Sequence, residues 1–149
     1  MIGNPTKVQR LIRLNAFREE QADDALRLAV ARQAKAREQH EAASDAIDRL
    51  GEWKTRSEAN AALDLPAYGA ALQLEQAAMV RADALQAELA EHESSTRQAK
   101  DVLTKAACAT RVSAKRGKRE NLLDASERER RTFDQISDVW LNNRELRRD

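Results

Sequence analysis

Among 149 residues there is one cysteine, two prolines and four glycines, and aromatic side chains make up 3% of the chain. Each scarcity removes a class of protein. Cys108 alone cannot close an intramolecular disulfide, and it offers one ligand where a zinc site needs three or four. It reads as a small helix residue in a reducing compartment. With few aromatics and 34% charged residues, the chain is poor material for a thick globular core. Charges interrupt every apolar stretch well short of the ~20 residues of a membrane helix. The start Met1-Ile2-Gly3-Asn4-Pro5-Thr6 has no apolar signal core, so a cytoplasmic protein without membrane insertion is expected. There is no Gly-rich phosphate loop and no nucleophile with a base in a plausible pocket. No catalytic residue, cofactor or metal ligand is assigned, and a non-enzyme is expected.

What the chain does have is Ala, Leu, Glu, Gln, Lys and Arg at helical spacing, the profile of long helices in an all-α fold. Asn4 before Pro5 suits a helix start, since Asn caps free N–H groups and Pro tolerates the first helical position. Helix 1 is expected over about 5–63, with a seam that alternates steps of four and three: Val8, Ile12, Asn15, Glu19, Ala22, Leu26, Ala29, Gln33, Ala36, His40, Ala43, Ile47 and Leu50. Pro66 and Gly69 place a turn at 64–69. Helix 2 follows over about 70–146, with the seam Ala78, Ala82, Leu85, Leu89, His92, Thr96, Ala99, Leu103, Ala106, Thr110 and Ser113.

The two seams mirror each other about Pro66. Ile47 answers Leu85, Ala43 answers Leu89, Ala29 answers Leu103 and Leu26 answers Ala106, each pair equidistant from the proline. The expected fold is therefore a long antiparallel two-helix coiled-coil hairpin, a single unit over 1–149, with small residues opposing large ones. At 1.5 Å per residue such a rod would hold its two ends roughly 90 Å apart. The same mirror sets Gln33 opposite Ala99, Glu19 opposite Ser113 and Asn15 opposite Gly117, which predicts looser packing toward the open end. His40 and His92 fall in one layer. They read as a structural pair, with a pH-sensitive layer as the alternative and a metal pair lacking further ligands.

Net charge is +1, which argues against a dedicated nucleic-acid binder. Positive charge gathers in Arg111-Val112-Ser113-Ala114-Lys115-Arg116-Gly117-Lys118-Arg119, expected to face Lys7, Arg10 and Arg13 as a collar, with Arg13 level with Arg119. Without interleaved aromatics it suits a solvated face or an acidic protein partner. Beyond Arg131, helix 2 is expected to overhang helix 1, exposing Phe133, Ile136, Val139, Trp140 and Leu141. Unpaired apolar surface marks a partner site unless Ile2, Leu11 or Leu14 folds over it or a dimer covers it. Near the turn, Leu65, Tyr68, Leu72 and Met79 form a second apolar strip, with Trp53 at the same end.

Three stretches carry a family resemblance over essentially the whole chain. They are Val8-Gln9-Arg10-Leu11-Ile12-Arg13-Leu14 followed by Arg18-Glu19-Glu20, then Tyr68-Gly69-Ala70-Ala71-Leu72-Gln73-Leu74-Glu75 after the turn, and Arg128-Glu129-Arg130-Arg131-Thr132-Phe133-Asp134 late in helix 2. Together they resemble the FliJ/YscO family, the stalk proteins of flagellar and virulence type III secretion. The resemblance implies a hairpin like that of a rotary ATPase gamma subunit. Its open end enters the hexameric secretion ATPase, its turn reaches toward the export gate, and export chaperones bind it. Carried over, Lys7, Arg10, Arg13, Arg116, Arg119, Arg131, Phe133 and Trp140 form the ATPase-facing end, and Tyr68, Leu72 and Met79 the gate-facing strip. Glu75 and Gln76 interrupt that strip. A free monomer, peripheral to the inner-membrane apparatus, is implied. The competing readings are an oligomeric coiled-coil scaffold whose overhang zips to another copy, and a basic helical nucleic-acid accessory.

Overall fold

Asp64 decides where the chain reverses. In the computed structural model, which describes residues 6–147, its Oδ1 accepts a hydrogen bond from Ala67 N at 3.3 Å and its carbonyl accepts one from Tyr68 N at 2.9 Å. Asp64 is thus an N-cap, and Pro66 sits in the first helical turn, where a missing N–H costs nothing. Helix α2 therefore runs Leu65–Glu145, and helix α1 runs Lys7–Glu58. The expected turn at 64–69 lies instead over residues 59–64, and residues 65–69 are helical. At the other end, Thr6 Oγ1 accepts from Gln9 N and Gln9 Oε1 accepts from Thr6 N, both at 3.2 Å, a reciprocal capping box. The expected cap Asn4 and first helical residue Pro5 lie outside the described residues.

The helices pack against each other as an all-α hairpin with no strand among the described residues. Every seam residue expected on either helix is buried or half-buried. Their pairing differs from the mirror about Pro66. Thr110 Oγ1 donates to the Asn15 carbonyl at 3.2 Å, and Asn15 Nδ2 donates to the Ala109 carbonyl at 3.3 Å, where Gly117 was expected opposite Asn15. Gly117 meets Val8 and Ile12 instead. The displacement is one heptad, and its cause is the turn, which closes earlier than a Pro-centred reversal would. A heptad slip returns the same residues to the seam, so membership survives while partners change.

The described residues fall into two compact units, residues 6–20 with 105–147 and residues 21–104. Within the second, the slipped register sets Ala22 level with Leu103, Leu26 with Ala99, Ala36 with Leu89 and Ile47 with Ala78. In these four layers a large side chain meets alanine, whereas the Pro66 mirror would have set Ile47 against Leu85. His40 falls level with Leu85, and His92 lines a shallow groove with Ala29 and Arg32. The two histidines are thus a heptad apart and form no common layer.

The first unit corrects the expectation of a loose open end. Val8, Asn15, Ser113 and Gly117 are all buried there. A Cβ on Gly117 would lie 2.6 Å from Ile12 Cδ1 and 3.7 Å from Val8 Cγ1, so this glycine admits a close helix approach. In a helix this glycine costs roughly 1 kcal/mol relative to Ala.

Candidate interaction surfaces

Past Glu120, every described residue of α2 except Ser137 is exposed. The expected overhang beyond Arg131 thus begins about ten residues earlier, because the heptad slip carries α2 farther past the start of α1. The arm of residues 121–147 exposes Leu122, Leu123, Phe133, Ile136, Val139, Trp140, Leu141 and Leu146, each more than half accessible. Arg144 stacks its guanidinium over the Trp140 ring at 5.3 Å. Leu122 and Leu123 were missed as surface residues, since only the true register sets the start of α1, Lys7, level with Lys118; Leu146 falls within the expected overhang and was not singled out.

The arm has two unlike faces. Continuing the seam of α2 by steps of four and three reaches Asp124, Glu127, Arg131, Asp134 and Asp138, all polar. Phe133, Ile136 and Trp140 lie about half a turn away, on the side of α2 that points away from α1. Leu11 and Leu14 do not cover this apolar face, being exposed on α1 level with Ala114 and Arg111, before the arm begins. Ile2 lies outside the described residues.

The same geometry resolves the basic collar. Lys7, Arg10 and Arg13 sit on α1 on the side away from α2, while Arg111, Lys115, Lys118 and Arg119 sit on α2 on the side away from α1. All are exposed, and they back onto each other across the hairpin instead of facing one another. Arg116 is exposed on the flank of α2, and Arg13 is level with Val112, not Arg119. Arg131 lies on the polar face of the arm, 3.8 Å from Glu127 in a solvated pair of little energetic weight. The eight residues expected at the ATPase-facing end therefore share one unit but are spread over several helix faces.

In the unit of residues 21–104, Tyr68, Leu72 and Met79 follow one another along α2 beside the seam. Leu72 and Met79 are exposed and Tyr68 half-buried, with Leu65 extending the strip. Two polar pairs tie this end together, Lys54 Nζ with Glu75 and the Tyr68 hydroxyl with Glu58. The Glu75 hydrogen bond is the main reason the Lys54 ammonium holds its proton more tightly than usual, against a smaller opposing effect of burial. The Glu58 bond likewise raises the Tyr68 phenol, with burial adding to it.

Charge divides along the same boundary. The described residues of the first unit carry fifteen Lys and Arg against nine Asp and Glu, and residues 21–104 carry ten against fifteen. Among the described residues, no three His, Cys, Asp or Glu are placed to hold a metal, and no helix is long and apolar enough to cross a membrane. Compared with known proteins, the chain matches no family model, no curated protein and no solved structure.

Proposed function

We propose that this chain is a non-enzymatic central-stalk component of a type III secretion system, cytoplasmic and peripheral to the inner membrane. It couples a hexameric secretion ATPase to the export gate and assists chaperone and substrate handling. The observation that carries the reading is the arm of residues 121–147, which leaves α1 behind with Phe133 and Trp140 exposed, next to a strongly cationic section of the hairpin. An acidic lining in the ATPase ring would complement Lys7, Arg10, Arg13, Arg116 and Arg119. Leu72 and Met79, with Tyr68, supply a separate apolar strip for the gate.

The test is charge reversal at Arg116 and Arg119, with ATPase binding, ATPase stimulation and export measured together. Both side chains are exposed, so the fold should persist while binding and stimulation fall. Wild-type binding and export in that variant would sink the proposal. A second reading, an oligomeric coiled-coil scaffold, is favoured by the uncovered apolar face of the arm. It requires a stable oligomer held by Phe133, Ile136 and Trp140, which alanine substitution there would dissolve.

A further inference from the structure

The side of α2 that points away from α1 reads as two sections in series. Arg111, Lys115, Lys118 and Arg119 come first, with Leu122, Phe133, Ile136 and Trp140 after them. Glu129 is the one acidic residue on this side between them, and none of the four cations makes an ion pair among the described residues. Within residues 21–104 the side of α1 that points away from α2 carries the opposite charge. Glu38, Asp45 and Glu52 recur every heptad, with Glu41 and Asp48 beside them, and five carboxylates outnumber the cations Arg49 and Arg56 at the edge of this side, with Lys35 just before it. All five carboxylates are exposed, and among the described residues only Glu52 has a basic neighbour in an ion pair, Arg56 at 3.8 Å. Past the end of α1 come the exposed Leu63 of the turn and Leu65 at the start of α2.

The spacing of the two surfaces agrees. Phe133 lies fourteen residues beyond Arg119, about 21 Å along α2. Glu58, where α1 ends, lies thirteen residues beyond Asp45, about 20 Å along α1, with the exposed leucines just after it. A helix pair running in the same direction would set cations on carboxylates and bring the apolar arm to the turn, where Leu63 and Leu65 are exposed.

We infer that the chain binds a second copy of itself, the α2 face of residues 111–140 in one protomer lying parallel to the α1 face of residues 38–58 in its partner. The contact is steered by charge and finished by burial of the arm, so it weakens with salt. It does not rest on the secretion reading, and it replaces the free monomer expected there with a self-associated form. A partner that needs Arg119 must then displace the second copy.

Sedimentation velocity of the purified full chain tests this, at about 20 mM and about 500 mM salt. Self-association is expected at low salt, with the apparent Kd weakening about tenfold or more at high salt. Two triple variants, K115E/K118E/R119E and E41K/D45K/D48K, should each be monomeric alone and should bind one another when mixed, because the reversed stripes complement again. Circular dichroism checks that each stays helical; if one does not, the neutral set K115Q/K118Q/R119Q replaces it and should show partial loss. A monomer at every salt concentration overturns the inference, as does failure of the mixed variants to associate. Association that ignores both charge reversals and vanishes on alanine substitution of Phe133 and Trp140 overturns it in favour of arm-to-arm pairing.

Discussion

Within residues 21–104 the seam is largely alanine set against leucine, and of its residues only Ala22, Ala36, Ala71 and Thr96 are buried outright. Such a seam packs closely and says little about register, because sliding by a heptad exchanges one small-large layer for another. In the unit of residues 6–20 and 105–147 the buried positions are Val8, Asn15, Ser113 and Gly117, and no two are alike. There Asn15 exchanges hydrogen bonds with one specific partner stretch, Ala109 and Thr110, and Gly117 admits Ile12. A buried polar residue on a helix seam specifies register at some cost in stability. The comparison teaches that layers which look weak by composition hold the alignment, while the uniform seam supplies length.

Three substitutions would break or sharpen that contrast. The largest effect belongs to Gly117→Leu. A bare Cβ comes within 2.6 Å of Ile12 Cδ1 and 3.7 Å of Val8 Cγ1, so Ile12 must turn aside for it, and the larger leucine side chain overpacks the space between them. A loss of about 2 kcal/mol is expected after a small gain in helix propensity. Hydrogen exchange should quicken in residues 6–20 and 105–120 and stay unchanged around Ala36; equal quickening in both would erase the distinction. Next comes Asn15→Ala, which removes the bond to the Ala109 carbonyl and should cost about 1 kcal/mol by chemical denaturation. No loss at all would mean that Gly117 alone sets the register.

The smallest effect is a pH response confined to the turn end. Lys54 and Tyr68 both hold their protons more tightly than usual, from ordinary values of 10.5 and 10.0. Their contribution is therefore complete below those values and is lost as pH rises through the raised ones. Tyr68 is the only tyrosine, so its phenolate absorbance reports this directly. It should ionise above pH 10.0, and Glu58→Gln should bring the midpoint down. An unchanged midpoint would remove the Glu58 bond as the cause.

The seam was legible residue by residue because burial on a helix follows its period, and each position from Val8 to Leu50 and from Ala78 to Ser113 lies where periodicity put it. The turn was misplaced because Pro66 was read as a breaker. The signal that places it correctly is the Asp64-Leu65-Pro66 order, a capping residue followed by proline within the first turn. From that one error followed the short overhang and the paired histidines; the collar whose sides were expected to meet was a separate error of helix face, since Lys7, Arg10 and Arg13 lie off the α1 seam in either register. The exposed arm residues Phe133 and Trp140 were found regardless, being unpaired in either register.

By itself the sequence determined the helices, their contacting faces and the two apolar surfaces near the ends, because these depend on local propensity and on a period read along one strand of chain. The tertiary structure alone decided the partners across the hairpin, since a heptad pattern is unchanged by a slip of seven residues and only turn closure and the Gly117 and Asn15 contacts choose among the alternatives. It also decided the charge map. Along the chain the first 66 residues are balanced at eleven cations and eleven anions, yet folding joins residues 6–20 to 105–147 and so gathers the cations at one unit and leaves the anions in the other.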